Sequence, residues 1–417
     1  MKYVLIGNSA AAVACVEGIR QRDREGDITM VTNEPYHTYS RPLISYLLAG
    51  KTDRERMKYR PDDFYEKNRC ELIAGVSADH LEPKRKTVVL SDGRELPYDR
   101  LLVAAGSLLV AAGSSPAVPP IKGLEAVENM TTFLSLDDAL RLEEMLTPFS
   151  RVLILGAGLI GLKCAEGVAG KAKSITVVDM ADHILPSILD QEASAPVQRR
   201  LEEHGIEFVL SDAAQELHPD RAVLKSGRGI RFDILVMAVG VRPNVRLVQN
   251  AGGAVKRGIV TDSRGQTSIP DVYAAGDCTE SRDITTGEEK VLALLPNAYL
   301  QGECAGINMA GGNQSYDKAI PMNSIGFFGL HLMTAGSCGG EAYLEKNGGN
   351  YKKLFVRENR LAGYILIGDV ARAGIYTSLI REQTPLSALD FELIRQKPQL
   401  MAFSRTKRNE MLGGNVG

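Results

Sequence analysis

Two glycine-containing turns, each between a short apolar run and a segment of helical character, constrain the fold of this 417-residue chain more than any other feature. The first turn follows residues 3–6 and the second follows residues 151–155. A strand that turns sharply into a helix at glycine opens a dinucleotide-binding domain. We therefore predict an α/β fold with two nucleotide-binding domains, because one nucleotide site would leave one turn unexplained.

The second turn carries the complete Gly-x-Gly-x-x-Gly fingerprint, and we expect it to lead into a helix over residues 162–166. Its glycines permit a tight turn, close approach of the backbone to a pyrophosphate, and close packing of helix on strand. The N–H groups at the helix start would face the phosphates. The turn residues expected to bind a dinucleotide are Gly156, Gly158, Leu159, Ile160 and Gly161.

Asp179 indicates which dinucleotide binds at the second turn. A second strand, residues 174–178, ends directly before this residue, where the fingerprint requires a carboxylate for the adenosine ribose. No arginine follows in residues 180–182 to hold a 2′-phosphate. We therefore expect NAD(H) rather than NADP(H).

The first turn is a degenerate form of the same motif, since it keeps only its first glycine, Gly7. Ser9 and Ala12 are the next smallest residues, so a phosphate could still approach and the helix could still pack. Glu34, or else Asn33, follows the second strand as a ribose acceptor. By itself this motif could also be an ordinary strand-helix pair. The residues expected to bind the nucleotide here are Gly7, Ser9, Ala10, Ala11 and Glu34.

A predicted strand is followed directly by Gly276 and Asp277, and this pattern indicates that the first turn binds a flavin. A buried aspartate there can accept a hydroxyl hydrogen bond from the ribityl chain of FAD. The helix that starts near Asn297 would present its positive end to the flavin edge where electron density builds up on reduction.

These residues together resemble the FAD-dependent pyridine nucleotide-disulfide oxidoreductase superfamily over most of the chain. The resemblance implies two Rossmann-like domains of the glutathione-reductase type, with the NAD domain inserted in the FAD domain, and a small α+β C-terminal domain. The implied ranges are 1–120 with 243–320 for FAD, 121–242 for NAD(H) and 321–417 for a C-terminal interface domain. Further cofactor contacts implied by the resemblance lie at Arg41 and Pro42 along the FAD, at Ala105 with Gly106 or Gly113 near its adenine half, and at Gly240 near the nicotinamide.

Within this superfamily the chain resembles the NADH:rubredoxin reductases and the flavin region of NADH-dependent nitrite reductases, which share its Arg-Pro-Leu run and its C-terminal Leu-Ile-Gly-Asp stretch. It departs from the disulfide reductases, since no cysteine lies between Cys15 and Cys70. A cysteine relay is therefore disfavoured. Lys163 stands where the family often carries glutamate, and Tyr46 stands where one branch often carries lysine. Both are expected beside the flavin; the alternatives are that Lys163 is a solvated helix residue and Tyr46 a packing residue.

These features predict a flavin-dependent oxidoreductase that transfers electrons between NAD(H) and a one-electron carrier protein. The carrier would be rubredoxin, a ferredoxin, or an iron–sulfur subunit of a larger oxidoreductase such as an aldehyde-oxidising metalloenzyme, with electrons flowing in either direction. No protein acid or base is required, because the flavin itself carries the chemistry. The alternatives are an NADH oxidase or peroxidase, and a non-catalytic nucleotide-binding subunit.

Composition agrees with a soluble cytoplasmic enzyme. The net charge of −2 gives no reason to expect a nucleic-acid partner, and the six cysteines contain no Cys-x-x-Cys pair, so we expect no metal site. No signal peptide and no apolar run of about 20 residues is evident. The oligomeric state stays open between a homodimer and a subunit of a hetero-oligomer.

A tandem repeat interrupts the flavin domain. Residues 101–107, Leu-Leu-Val-Ala-Ala-Gly-Ser, recur unchanged as residues 108–114. An odd insertion reverses the side-chain faces of a strand. We therefore expect one copy in the strand and the other displaced.

Overall fold

A computed structural model describes residues 1–109 and 121–403 of the chain. Five parallel strands form the first sheet, whose order is β18 (Val272–Ala274), β7 (Arg100–Val103), β1 (Lys2–Ile6), β2 (Asp27–Thr32) and β3 (Cys70–Ala74). Five parallel strands also form the second sheet, in the order β12 (Ile206–Val209), β11 (Ser174–Val178), β10 (Arg151–Leu155), β16 (Ile234–Met237) and β9 (Met130–Thr131).

A third, antiparallel sheet lies in the C-terminal region, with the order β21 (Met322–Phe327), β22 (Leu330–Gly336), β25 (Arg360–Ile367), β24 (Asn350–Arg357) and β23 (Glu341–Asn347). The remaining strands form small antiparallel groups, which are β4 (Ala78–Glu82), β5 (Thr87–Leu90) and β6 (Glu95–Pro97); β13 (Ala214–His218), β14 (Arg221–Leu224) and β15 (Gly229–Arg231); β8 (Ser107–Leu109) with β17 (Val241–Pro243); and β19 (Glu280–Arg282) with β20 (Glu289–Val291).

Helices connect these strands. Those in the described residues are α1 (Ala10–Arg20), α2 (Ile44–Leu48), α3 (Phe64–Lys67), α4 (Leu136–Met145), α5 (Leu159–Val168), α6 (Gln191–Glu202), α7 (Arg246–Asn250), α8 (Leu295–Met309), α9 (Ala373–Arg381) and α10 (Phe391–Gln396). Helix α5 begins three residues before the start predicted from the sequence. The reason is that Gly158 already has the extended conformation of a helix N-cap, so the last glycine of the fingerprint lies within the helix.

The apolar sequence of the parallel strands follows from burial on both faces, as parallel sheets require. In β1, every residue from Tyr3 to Ile6 is buried, and the same holds for Val152 to Leu155 in β10. The strands of the first sheet come from residues 2–103 and 272–274. The strands of the second sheet come from residues 130–237, which lie between these two segments. The chain thus leaves the first sheet after β7, builds the second, and returns at β18. This arrangement confirms the predicted fold class of two Rossmann-like domains.

Contacts divide the chain into two compact units. The first comprises Met1–Ser187, Leu201–Ser281 and Glu289–Asp317, and it contains both parallel sheets. The second comprises Ile188–Arg200, Arg282–Glu288 and the described residues from Lys318 onward. The domain boundaries that the sequence suggested remain a prediction.

In the second unit, α9 packs against the antiparallel sheet through buried side chains. The hydroxyl groups of Tyr364 in β25 and Thr377 in α9 are hydrogen-bonded at 2.8 Å. Lys353 in β24 forms an ion pair of 2.6 Å with Asp190, which directly precedes α6. The first part of α6 therefore belongs with this sheet, although the sequence places it within the range predicted for the NAD domain.

The first copy of the tandem repeat occupies the flavin-side sheet. Leu101, Leu102 and Val103 pair with β1 and β18 and are fully buried. Beyond the turn, residues Ser107–Leu109 pair antiparallel with β17, which places the start of the second copy in a separate two-stranded ribbon. The rest of the second copy lies outside the described residues, and so does Gly113, one of the two candidate FAD contacts in the repeat.

Deletion of residues 108–114 is expected to preserve the flavin-side fold, because the remaining copy still fills β7 and its turn. The deletion would put Pro116, which lacks a backbone N–H, where Leu109 now pairs with Val241, so its effect is expected in the short ribbon alone. Shortening a connecting loop changes the closure entropy by less than about 1 kcal/mol. Circular dichroism and flavin content should match the parent protein. Loss of the folded state would show that the second copy is structurally required.

Candidate functional site

The two glycine turns have the same backbone geometry and the same contacts with the neighbouring strands. Gly7 and Gly156 each donate a backbone hydrogen bond of 2.8 Å to the neighbouring parallel strand, at Val31 and Val178 respectively. Each has a positive φ, of 126° and 112°. A Cβ atom would lie 2.3 Å from the carbonyl oxygen of Ala104 at the first turn and 2.3 Å from that of Ala238 at the second. Only glycine fits either position.

The helices after the turns begin with free backbone amides. Neither α1, after Ser9, nor α5, after Gly158, has a capping side chain or an acidic residue in its first turn. Helix α4, in contrast, carries a complete capping box from Ser135 and Asp138. A Cβ on Gly158 would meet no atom within 4 Å, so this face of the second turn is open. Uncapped N-termini beside an open glycine face suit a pyrophosphate.

The predicted flavin residues from distant parts of the sequence converge at the start of α1. Gly276 lies so close to Ala11 that a Cβ on the glycine would be 3.1 Å from the alanine methyl group. Ala10 and Ala11 form the first turn of α1 and are buried. Asn297, in the first turn of α8, is buried and accepts a hydrogen bond of 2.9 Å from the Tyr316 hydroxyl.

Asp277 is the most unusual group in this cluster. It is partly buried, and its carboxylate forms no hydrogen bond within the described residues. Burial raises the pKa of this carboxyl above its usual range, while the charge of Arg41 opposes the shift. An unpartnered carboxylate in a partly buried position can accept a hydrogen bond from a ligand hydroxyl, as FAD would require.

Arg41 links the first turn to the predicted ribose acceptor. Its guanidinium forms two hydrogen bonds with Glu34, of 2.6 and 3.2 Å, and one of 3.3 Å with the Ser9 hydroxyl. Pro42 follows in the same short 3₁₀ turn, Arg41–Leu43, that leads into α2. Asn33, the alternative ribose acceptor, is exposed. Arg41 therefore places a cation between the phosphate turn and the Glu34 carboxylate.

Asp179 directly contacts the second turn. Its carboxylate accepts hydrogen bonds from the backbone N–H of Ala157, at 2.6 Å, and of Ala181, at 2.8 Å. Each carboxylate oxygen retains a second acceptor position. The side chain is thus fixed at the rim of the turn, with acceptor capacity left for a ribose hydroxyl.

Lys163 and Tyr46 meet where α5 packs against α2. The Lys163 ammonium forms an ion pair with Glu166 and lies 4.6 Å from the centre of the Tyr46 ring. The other oxygen of Glu166 is 3.6 Å from the Lys51 ammonium, which lies 5.8 Å from the same ring. The Lys163 side chain is only 14% exposed, so it is not a solvated helix residue. Tyr46 is 37% exposed, so its ring is available to a ligand as well as to packing.

The sequence interpretation missed Glu166 and Lys51 as members of this cluster. The Lys163 to Glu166 spacing of three on a helix was a usable signal, because such residues face each other. Lys51 comes from a different element, and its proximity depends on tertiary packing alone.

The remaining predicted contacts lie on loops at the carboxyl ends of strands. Ala105 and Gly106 follow β7, where Gly106 has a φ of 63° and its carbonyl accepts a 3.0 Å bond from the Asn244 amide. Gly240 lies between β16 and β17 with a φ of 112°. Ligands bind at this edge in open α/β sheets.

Within residues 1–109 and 121–403, no group of three His, Cys, Asp or Glu side chains is arranged to hold a metal ion. Nor does any helix there have both the length and the apolar character to cross a membrane.

Comparison with known proteins agrees with this geometry. Residues 1–302 match the model of the pyridine nucleotide-disulphide oxidoreductase family, and residues 321–384 match the rubredoxin NAD+ reductase C-terminal domain. The chain therefore belongs to the pyridine nucleotide-disulphide oxidoreductase family. The predictions of family, of a flavoprotein oxidoreductase, and of FAD and NAD(H) as cofactors are confirmed.

Individual relatives extend over nearly the whole chain. The epsilon subunit of NADH-dependent phenylglyoxylate dehydrogenase from Aromatoleum evansii is 32% identical over 401 residues, which is 93% of each chain. The nitrite reductase [NAD(P)H] of Bacillus subtilis is 30% identical over 93% of this chain, which spans only 48% of that longer protein. The covalent putidaredoxin reductase–putidaredoxin complex has a similar fold, with a TM-score of 0.86 and 21% identity over 100% of this chain and 99% of the matched chain.

Replacing Asp277 by asparagine should stabilise the ligand-free protein at pH 7.5 and weaken its binding of FAD. The folded-state pKa of Asp277 is raised, so its contribution to stability is complete below pH 4 and is lost as the pH rises through the folded-state value. The gain in melting temperature should therefore shrink as the pH falls toward 4.

Asp233→Asn is the control, for which we expect a shift in melting temperature in the opposite direction. The ion pair with Arg151 lowers the pKa of Asp233 to about 2. Asp233→Asn should therefore destabilise the protein at pH 7.5. If Asp277→Asn and Asp233→Asn shift the melting temperature in the same direction, the assigned electrostatics of Asp277 are wrong.

Glu166→Gln should lower the free energy of unfolding by about 3 kcal/mol, because it removes the carboxylate that the largely buried Lys163 ammonium contacts. In the double variant with Lys163→Met, a substantial part of this loss should be recovered. Chemical denaturation of both single variants and the double variant measures the coupling. Strictly additive effects would show that the ion pair does not contribute.

Proposed function

We propose that this flavoprotein transfers electrons between NAD(H) and a one-electron carrier protein. The main support is the convergence of Gly7, Arg41 and Asp277 at one nucleotide site, next to a complete second site at Gly156 and Asp179, without a reactive thiol at either. NADH supplies two electrons to a flavin. When no reactive thiol lies beside the flavin, these electrons must pass to another molecule.

The state of the cysteines supports this proposal. Burial raises the pKa of all six thiols, and that of Cys278, adjacent to Asp277, is raised to about 12. The Cys278 sulfur contacts the carbonyl oxygens of Val103 and Ala275 inside the core. A thiol must ionise to act as a nucleophile, so Cys278 is not suited to a disulfide relay.

The residues of the flavin site would act by binding and orientation. The amides at the start of α1 and the Arg41 guanidinium would bind the FAD pyrophosphate, while Glu34 would accept from the adenosine ribose. Asp277 would accept from the ribityl chain, and the uncapped N-terminus of α8 would face the reducible ring. FAD held by these residues would supply the redox chemistry of the site, which combines hydride uptake with release of single electrons.

At the second site, the amides of α5 would bind the NAD pyrophosphate and Asp179 would orient the ribose. Its carboxylate would repel a 2′-phosphate, so we expect NADH to be preferred over NADPH. Tyr46 and Lys163, at the contact between α2 and α5, would line the space where the nicotinamide approaches the flavin.

The carrier that we propose is rubredoxin, a ferredoxin, or an iron–sulfur subunit of a larger complex. The match to a rubredoxin NAD+ reductase C-terminal domain supports the first. The similarity to the epsilon subunit of phenylglyoxylate dehydrogenase supports the last, in which the chain would reduce NAD+ for an aldehyde- or keto-acid-oxidising partner.

The six free thiols fit our expectation of a reducing cytoplasm.

Anaerobic titration of the purified protein with NADH, and separately with NADPH, tests this function. NADH should bleach the flavin absorbance at a lower concentration than NADPH, and one of rubredoxin or ferredoxin should restore it within the mixing time. Rapid recovery in air alone would identify an oxidase. A protein that binds no flavin, or whose flavin neither nucleotide bleaches, would contradict the proposed function.

A further inference from the structure

The hydroxyl group of Tyr39 is hydrogen-bonded to two charged side chains and to one backbone amide. It donates a hydrogen bond of 3.0 Å to Glu34, and it accepts one of 3.2 Å from Arg41 and one of 3.0 Å from the backbone N–H of Leu136. A phenol has one donor and two acceptor positions, so its hydrogen-bonding capacity is full. Burial also raises the pKa of Tyr39 well above its usual value, which keeps the donor proton in place.

The α4 capping box does not provide a partner for the amide of Leu136. The Asp138 carboxylate accepts from the amides of Leu134 and Ser135, and the Ser135 hydroxyl accepts from the amide of Asp138. Leu136 is the first helical residue, whose N–H has no partner within an α-helix. Tyr39 supplies that partner from a different part of the chain.

Two other contacts join the same segments. Arg41 donates a hydrogen bond of 3.4 Å to the carbonyl oxygen of Leu134, and the Tyr36 hydroxyl is hydrogen-bonded to Asp137. Within residues 1–109 and 121–403, Tyr36 forms no hydrogen bond with Glu34 or Arg41, and its ring meets that of Tyr39 edge-on with 6.4 Å between the ring centroids. This makes Tyr36 a matched comparison for Tyr39.

We propose that Tyr39 is a positioning residue that couples occupancy of the flavin site to the start of helix α4, which connects to the second parallel sheet through β9. This inference rests on the proposed function, in which Arg41 and Glu34 bind FAD. A phosphate and a ribose would compete for these two side chains, and both are partners of the Tyr39 hydroxyl. Its third partner, the Leu136 amide, then responds to the change.

Hydrogen exchange with and without FAD, together with FAD titration of the apoprotein, tests the coupling. In the parent protein, FAD should change the exchange of residues 134–138 as well as that of the first glycine turn. Tyr39→Phe should weaken FAD binding about tenfold, as expected for loss of hydrogen bonds to charged groups. It should also abolish the response of the Leu136 amide, the group that Tyr39 contacts, while residues 7–12 remain protected. Tyr36→Phe should change FAD affinity less than about twofold and keep the response.

A second pair of variants removes the same hydrogen bond from the other side. Leu136→Pro deletes the amide at a position where proline is tolerated, because Ser135 already has an extended conformation. Leu136→Ala removes similar side-chain bulk and keeps the amide. Only Leu136→Pro should abolish the response of the helix start to FAD.

The outcomes separate this inference from the function on which it rests. If the parent protein binds FAD and is bleached by NADH while residues 134–138 do not respond, the reductase function stands and the coupling is wrong. Equal effects of Tyr39→Phe and Tyr36→Phe, or of the two Leu136 variants, would also overturn the coupling. A parent protein that binds no FAD would overturn both.

Discussion

One contact recurs in both halves of the nucleotide-binding unit, and the rest of the site depends on it. A glycine at the end of a parallel strand lies against the carbonyl oxygen that follows the adjacent strand, at Gly7 against Ala104 and at Gly156 against Ala238. With a Cβ at 2.3 Å the strands could not keep this spacing, and the turn would open. Because the turn is tight, the following helix begins directly above the strand end. Its free amides then point at a single place, which is what makes an anion site.

Close packing of α1 against α8 brings the distant flavin residues to that place. A Cβ on Gly302 would lie 2.0 Å from the carbonyl oxygen of Ala11, and one on Gly306 would lie 2.2 Å from that of Cys15. The two backbones are therefore nearly in contact. This closeness aligns the start of α8 with the start of α1 and places Gly276 beside Ala11, so three segments far apart in sequence meet at one place.

The sequence was sufficient for features that depend on local geometry. The glycine spacing predicted the second turn, and the position of Asp179 after its strand was correct in register, since its carboxylate contacts that turn. It could not predict contacts made by tertiary packing, such as Tyr39 with the Leu136 amide or Lys51 with Glu166. Nothing within a short window signals them, because each joins elements whose separation depends on the whole fold.

Charged groups at the candidate site are placed unfavourably for the protein without its ligands. Asp277 is held partly buried with a raised pKa, and two lysines share the Glu166 carboxylate at the contact of α2 with α5. Arg151 and Asp233, in contrast, form a one-to-one ion pair. Local departures of this kind persist in proteins mainly where a ligand uses them. The Asp277 carboxylate has no hydrogen-bond partner within residues 1–109 and 121–403, which argues that a ligand, and not the fold alone, accounts for its position.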